Sequence, residues 1–183
     1  MKKLAFAAIL ASAFASTGAL AQAYVSADIG TARVNVDCTG VTSCDKSDTA
    51  YGIVGGYTFN GGVAAELGYA RFGKVSATVD GIPVQIKADG ITFGGAYRLS
   101  IADDIGLNLR GGFARVKTTA SASSGAVTAS IDQTKTKPYL GLGIDYAVTK
   151  QVKIGLNALF TKAEFEGETA SVRSISAGLR YDF

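Results

Sequence analysis

Residues 174–183 read Ser-Ile-Ser-Ala-Gly-Leu-Arg-Tyr-Asp-Phe, with apolar side chains alternating with small or polar ones. Because successive side chains of a β-strand point to opposite faces, this period of two predicts a strand with one apolar face. The same alternation recurs at residues 25–30, 51–59, 63–70, 91–99, 105–114, 139–146 and 152–160. No stretch between these eight segments has a helical period of useful length, so parallel β-α-β units are excluded and antiparallel strands are predicted.

The connections between the predicted strands alternate between short and long. The short ones are residues 60–62, 100–104 and 149–151, and the long ones are 36–48, 74–88, 118–135 and 162–171. The third long one is rich in Ser, Thr and Ala, a composition that predicts a mobile loop. Short turns at one end and long loops at the other are typical of outer-membrane barrels. We therefore predict an all-β, eight-stranded antiparallel up-and-down transmembrane β-barrel.

The N-terminus has the pattern of a secretory signal peptide. Two lysines precede an almost entirely apolar run, Leu4 to Ala15. This run is shorter than the ~20 residues of a membrane-spanning helix, which disfavours an N-terminal anchor. Small-residue cleavage motifs follow and end at Ala21 or at Ala23. We expect residues 1–23 to be a cleaved signal peptide and residues 24–183 to be an outer-membrane β-barrel domain.

Composition excludes several kinds of site. The 183 residues include 23 glycines and no histidine or tryptophan, and 48% of them are hydrophobic. Without histidine the chain cannot build a Ser-His-Asp triad or a His-ligated zinc site, and we predict no cofactor or metal site. The near balance of 18 basic and 15 acidic residues gives no indication of nucleic-acid binding.

The sequence has two cysteines, Cys38 and Cys44, which lie in a polar stretch with turn residues. Export to an oxidising compartment favours a disulfide between them, with two free thiols as the alternative. A metal site at this position is not supported, since neither a third cysteine nor a histidine exists to complete it.

Periodicity alone leaves two architectures open. A soluble lipocalin-like barrel would turn its apolar face inward, whereas a membrane barrel would turn it to lipid. The other face of the strands is rich in glycine, which weakens a water-facing strand but suits a crowded bore. That face also carries a few charges of both signs, which suit pairing inside a membrane barrel. The predicted inward ionic network comprises Asp28, Glu66, Arg98, Arg110, Asp145 and Arg180.

Aromatic side chains on the apolar face cluster near the short turns and the C-terminus. The predicted girdle comprises Tyr57, Phe59, Tyr97, Tyr146, Tyr181 and Phe183. Tyrosine and phenylalanine rings favour the boundary between lipid tails and headgroups, so this band predicts where one membrane interface lies.

Three segments are recognisable by their order and spacing: Gly55–Asn60 (GGYTFN), Glu66–Tyr69 (ELGY) and Gly143–Thr149 (GIDYAVT). Together they resemble the OmpA-like transmembrane domain, within the group of small eight-stranded outer-membrane barrels. The resemblance covers the chain beyond the predicted signal peptide. It implies that the terminal segment with Tyr181 and Phe183 is the assembly signal of an outer-membrane barrel.

The resemblance also bears on the inward charges. It implies that Glu66 and Asp145 occupy carboxylate positions of the family and that Arg110 lies where a basic residue is usual. The family position that can hold an arginine, two residues after Lys153, is Gly155 here. The pairing partners of the family therefore do not carry over to this chain.

The predicted function is structural, with the strands anchoring the barrel and the long loops presenting a surface for interaction. A narrow porin-like channel is the alternative. Eight strands leave a bore just filled by side chains, which disfavours a wide pore but leaves room for a narrow water path. In that case the inward network would be a gate rather than a structural core. A lipid-modifying enzyme is the second alternative, but the resembling enzyme families rely on histidine, so we predict that the chain is not an enzyme.

Location determines the expected partners. We expect the protein in the outer membrane of a Gram-negative cell, in contact with outer-membrane lipid and lipopolysaccharide. The barrel-assembly machinery is the expected partner during biogenesis, and host surface molecules are candidate partners of the loops. No nucleic-acid partner is expected.

Overall fold

A computed structural model describes residues 22–35, 43–79, 82–124, 127–165 and 168–183. The predicted signal peptide, up to residue 21, and Cys38 lie outside these ranges. Cleavage of residues 1–23 and the disulfide between Cys38 and Cys44 therefore stay predictions.

The described residues form nine β-strands and one short 3₁₀ turn. The strands are β1 (Ala23–Asn35), β2 (Ser43–Asp45), β3 (Ser47–Thr58), β4 (Val63–Val79), β5 (Ile82–Ser100), β6 (Ile105–Ser124), β7 (Val127–Ala147), β8 (Val152–Phe165) and β9 (Glu168–Asp182). The turn, Asn60–Gly62, joins β3 to β4. No helix in the described part of the chain is long and apolar enough to cross a membrane.

Eight of the strands close into one antiparallel barrel. Each long strand pairs with the next long strand along the chain, and β1 pairs with β9 to close the ring. The short strand β2 pairs with the part of β4 that extends beyond the β3–β4 ladder. The predicted all-β, eight-stranded antiparallel up-and-down barrel is therefore confirmed.

The strands extend far beyond the length that a membrane requires. β6 has 20 residues and β7 has 21, whereas a tilted strand crosses a bilayer in about 9–11 residues. At one end of the barrel lie the connections at residues 59–62, 101–104 and 148–151, which we call the turn end. At the other end the strands project as pairs, and we call this the hairpin end.

The prediction of long loops at 74–88, 118–135 and 162–171 was wrong. The ladders instead continue to the pairs Val79↔Ile82, Ser124↔Val127 and Phe165↔Glu168. Residues 118–124 and 128–130 consist only of Ser, Thr and Ala, so the contrast between an apolar and a polar face that identifies a strand is lost there. The backbone hydrogen bonds of the ladder continue regardless of that contrast.

The outer surface of the barrel is apolar over the part nearest the turn end. Large apolar side chains point away from the interior on every long strand, among them Ile29, Leu67, Leu140 and Ile175, each more than 60% exposed. Such an exposed apolar surface is far larger than soluble proteins tolerate, but it suits a barrel surrounded by lipid.

Candidate functional site

The interior of the barrel is the candidate site, and Glu66 lies at the centre of its polar part. Glu66 is near the start of β4, and its side chain is 3% exposed. Its Oε1 accepts hydrogen bonds from Tyr24 Oη at 2.5 Å and from Arg98 Nη2 at 3.2 Å. Its Oε2 lies 3.4 Å from Arg110 Nε. One buried carboxylate is thus shared by two guanidinium groups and a phenol.

The ring of Tyr24 lies between two guanidinium groups. Arg98 is 4.0 Å from the ring centroid and Arg180 is 4.2 Å from it. Both distances are within the range of cation–π attraction, typically about 0.5–2 kcal/mol for each pair. The ring therefore attracts two cations at once, while the hydroxyl group of the same residue donates to Glu66.

Three members of this cluster were missed by the sequence analysis. Arg180 Nε donates to Asp182 Oδ1 at 2.6 Å, and Lys153 Nζ lies 3.0 Å from Asp182 Oδ2. Tyr24, Asp182 and Lys153 all occupy inward positions of the alternation, which is the signal that could have identified them. They lie near the ends of strands, where a polar residue is common and does not by itself indicate an inward contact.

Two predicted members of the inward network contact neutral partners instead. Asp145 accepts a hydrogen bond from Asn108 Nδ2. Its ladder partner is Gly155, and the absence of a side chain there leaves the space that the Asp145 carboxylate occupies. Asp28 lies beside Gly52, and within the described residues it forms no ion pair or hydrogen bond.

The six predicted network residues therefore fall into three groups. Glu66 forms ion pairs with Arg98 and Arg110, Arg180 joins them through Tyr24, and the two aspartates lie apart. The charges in this half of the interior still balance, with four of each sign. They are Arg98, Arg110, Lys153 and Arg180 against Asp28, Glu66, Asp145 and Asp182.

Two small cavities flank the cluster. One of about 50 Å³ lies midway along the bore, lined by residues that include Asp28, Thr92, Arg110, Asn157 and Ser176. One of about 90 Å³ lies at the turn end, lined by residues that include Arg98, Asn108, Asp145, Lys153 and Arg180. Within the described protein, Nε of Arg98 and of Arg110 and Nη1 of Arg180 have no hydrogen-bond acceptor. Buried N–H groups beside cavities of this size suit ordered water.

Towards the hairpin end, the interior is mainly apolar, although Thr118 and Thr161 are also buried there. Its buried apolar side chains form one cluster of Ala32, Ala50, Phe72, Ala88, Ala114, Val116, Tyr139 and Val172. The prediction of a polar bore therefore describes only the turn half. Most of these residues lie outside the apolar alternation or on its small-residue face, which is why the sequence analysis did not identify an interior core.

The structure places the six predicted girdle aromatics at the turn end. Five of them are exposed on the outer surface: Phe59, Tyr97, Tyr146, Tyr181 and Phe183. Tyr57 is half-buried, and its ring packs edge-on against that of Phe59, with centroids 5.2 Å apart. Their location at a headgroup boundary stays a prediction.

Within the described residues, no three acidic or cysteine side chains come together as metal ligands.

Above the apolar interior, ion pairs connect β7 to β8 where the ladder between them has ended. The last paired residues are Leu140 and Phe160. Beyond them Glu164 contacts Lys137 Nζ, and its Oε1 lies 3.4 Å from Lys135 Nζ. The hydrogen bonds from Lys137 and then Lys135 lower the pKa of the Glu164 carboxyl below its ordinary value.

We expect protonation of Glu164 to separate the upper parts of β7 and β8. Because its pKa is lower in the folded state, its stabilising effect is present above the ordinary carboxyl pKa and is lost as the pH falls through the lower folded-state pKa. Amides near Glu164 should then exchange faster in hydrogen-exchange mass spectrometry. Glu164→Gln should produce the same faster exchange at neutral pH.

Asp132→Asn is the matched control for this prediction. Asp132 has a lowered pKa because of hydrogen bonds from Lys117 and Thr119. It lies on the β6–β7 ladder, however, which is paired to its tip. Exchange at this hairpin should stay slow, and equally fast exchange in both variants would contradict the prediction.

Comparisons of the sequence with a family model and with known proteins agree on one family. The sequence model described as OmpA-like transmembrane domain matches residues 19–183. Outer membrane protein A of Salmonella typhi is 29% identical over an alignment that covers 100% of this chain and 56% of that protein. The chain thus spans about half the length of the curated relatives it matches.

Solved structures share the fold at low sequence identity. Neisserial surface protein A superposes with a TM-score of 0.63 at 18% identity, covering 88% of this chain and 97% of that one. Ail, the attachment invasion locus protein of Yersinia pestis, was solved in complex with the heparin analogue sucrose octasulfate. It superposes with a TM-score of 0.57 at 20% identity, covering 87% of this chain and 99% of that one.

Proposed function

This chain belongs to the OmpA-like transmembrane domain family and lies in the outer membrane, and from that premise we propose that it is a structural and surface-interaction barrel with a closed interior. Its turn end faces the periplasm and its hairpin end faces outward. The premise implies contact with outer-membrane lipid and lipopolysaccharide. Export by the signal peptide at residues 1–23, and assembly of the barrel by the barrel-assembly machinery through Tyr181 and Phe183, are part of this proposal.

The observation that carries the closed interior is the apolar layer. Phe72 and Tyr139 are 3% and 4% exposed and lie among buried alanines and valines inside the barrel. An ion crossing this layer would lose its hydration and meet only a few hydroxyl groups in return, which is costly. The Glu66 cluster fills the turn half below it. The two layers in series support a plugged barrel.

The hairpin end supports the proposed interaction role. Its strands project well beyond the apolar band and carry exposed charges of both signs, such as Lys117 and Asp132, which are 2.8 Å apart. The related fold of Ail was solved with a polysulfated heparin analogue. We propose that the projecting hairpins of this chain contact host surface molecules. Binding to host cells that is lost when residues 118–135 are trimmed would support this role.

Refolded wild-type protein should show no steady single-channel steps in planar lipid bilayers. If the apolar layer is the barrier, the double variant Phe72→Ala/Tyr139→Ala should show steps, because it removes the two largest buried side chains of that layer. Phe93→Ala/Phe113→Ala is the matched control. Its two rings stack 5.8 Å apart on the outer surface, so removing them should leave the bilayer silent.

A narrow channel is the second candidate, favoured by the two small cavities and by the guanidinium N–H groups beside them that have no hydrogen-bond acceptor within the described protein. In that case the pairing of Glu66 with Arg98 and Arg110 would act as a gate. Steady steps in the wild-type protein that change in Glu66→Gln and Arg110→Ala would establish the channel and overturn the closed barrel. Unchanged conductance in both variants would remove the gate.

A lipid-modifying enzyme is the least supported role. The chain has no histidine, and the charges in and around the Glu66 cluster pair with one another rather than surrounding a nucleophile. Altered lipid A masses on overexpression would establish an enzyme.

A further inference from the structure

Two arginines face each other on the outer wall of the barrel. Arg33 on β1 and Arg173 on β9 are directly opposite in the ladder, and both are exposed. Like charges in this arrangement repel each other and destabilise a strand pair. Lys162 on β8 adds a third cation, since its ladder partner Ser171 is two residues from Arg173. Among the side chains that the structure describes, none bonds or forms an ion pair with any of the three.

Two other cations at the hairpin end have partners. Arg71 donates to Tyr51 Oη at 3.3 Å and lies over its ring, and Lys117 forms an ion pair with Asp132. The cluster of Arg33, Lys162 and Arg173, which we call the basic triplet, is therefore a concentration of positive charge without a protein counter-ion among the described side chains.

The basic triplet lies at the edge of the apolar surface. Outward residues of β9 are apolar from Tyr181 to Ile175, and Arg173 is the first charged one. Eight residues separate Tyr181 from Arg173, or roughly 26 Å along the strand at 3.3 Å per residue. With the usual tilt this corresponds to a height of about 20 Å, close to the thickness of the apolar band of an outer-membrane barrel. The triplet is thus at the level of lipid headgroups.

A cleft in the barrel wall opens beside the triplet. The β7–β8 ladder ends at Leu140↔Phe160, although both strands continue. Pro138 has no N–H to donate here, and its carbonyl accepts from Thr161 Oγ1 at 3.1 Å. The cleft has a volume of about 280 Å³ and is lined by residues that include Pro138, Leu140, Phe160, Lys162 and Arg173.

We propose that the basic triplet and this cleft bind a phosphorylated lipid of the outer leaflet. The phosphate contacts Arg33, Lys162 and Arg173, and an acyl chain packs against Leu140 and Phe160. Charge complementarity carries the assignment, because a phosphate dianion accepts bidentate hydrogen bonds from guanidinium groups and removes the repulsion between the two arginines. The apolar floor below the cations matches a lipid, whereas a free phosphate would leave it uncovered.

The test uses full-length refolded protein in vesicles of phosphatidylcholine, alone or doped with diphosphorylated lipid A or with dephosphorylated lipid A. Native mass spectrometry after detergent extraction measures the retained lipid. Wild-type protein should retain the diphosphorylated form, and Arg33→Ser/Arg173→Ser should retain at least tenfold less, since each of the lost charge-assisted hydrogen bonds is worth about a factor of ten or more. Inorganic phosphate added to phosphatidylcholine vesicles should not replace the lipid.

Arg115→Ser is the matched control. Arg115 is also exposed on the outer wall, but its ladder neighbours are Ile91 and Thr136 rather than a second cation. Lipid retention should be unchanged in this variant. If Arg115→Ser loses as much lipid as the double variant, the effect comes from overall charge and the proposed site is overturned. Equal retention of the two forms of lipid A would also overturn it.

A second measurement distinguishes loss of lipid binding from misfolding of the variant. In phosphatidylcholine alone, Arg33→Ser should raise the midpoint of guanidinium unfolding, because it removes a like-charge pair. With diphosphorylated lipid A present, the same variant should have a lower midpoint than wild type. If the order of the two midpoints, Arg33→Ser and wild type, is the same with and without lipid A, the proposal is overturned. Both leaflets of these vesicles carry the lipid, so the result does not depend on the proposed orientation or surface role.

Discussion

Replacing Glu66 with alanine should lower the free energy of unfolding by about 3–5 kcal/mol, the usual cost of removing one partner of a buried ion pair. The substitution leaves Arg98 and Arg110 buried without their shared carboxylate and leaves the Tyr24 hydroxyl without its acceptor. Since the chain has no tryptophan, far-UV circular dichroism of vesicle-embedded protein in guanidinium is the appropriate measurement.

Two further variants show whether the effect comes from uncompensated charge. Glu66→Gln keeps an acceptor for Tyr24 but removes the negative charge, so its unfolding midpoint should lie between those of Glu66→Ala and wild type. Asp132→Ala breaks an ion pair in which both side chains are about half exposed, and it should leave the midpoint unchanged, because water solvates the released lysine. A Glu66→Ala midpoint equal to that of wild type would show that the cluster contributes no stability.

The strands in lipid could be predicted from the sequence because lipid imposes a strict pattern. Residues 105–113 and 140–146 lie between an apolar medium and a crowded interior, so every second side chain is apolar. Beyond the apolar band this contrast ends. Residues 118–124 were therefore interpreted as loop, although they continue β6 and pair with β7.

The pairing inside the barrel could not be predicted in the same way. Glu66 lies opposite Gly56 and Gly94 in its two ladders, yet its partners Arg98 and Tyr24 are 32 and 42 residues away in sequence. Such contacts depend on strand tilt and on the height of each residue across the bore, which alternation does not record. The inward direction of these side chains was predictable, but their partners were not.

The wall of the barrel is tight where β5 and β6 carry glycines opposite each other. Gly94 pairs with Gly112 in the ladder. A Cβ added to Gly94 would lie 2.8 Å from the Gly112 Cα, and one added to Gly112 would lie 2.6 Å from the Gly94 Cα. Each added Cβ would also meet a backbone carbonyl of the opposite strand. Backbone atoms cannot swing aside as a flexible side chain can, so a larger residue must push the two strands apart.

Gly112→Ala should therefore destabilise the barrel by about 1–3 kcal/mol, the usual cost of overpacking. This loss opposes the gain of about 0.4–1 kcal/mol that a Gly→Ala change brings by restricting the unfolded chain. Gly55→Ala is the matched control, since a Cβ there would meet nothing within 4 Å, and it should be neutral or stabilising. Guanidinium unfolding midpoints of the two variants measured side by side give the comparison. If they shift equally, the glycine content of the strands does not arise from close contact in the wall, and the crowded-bore explanation of this composition is wrong.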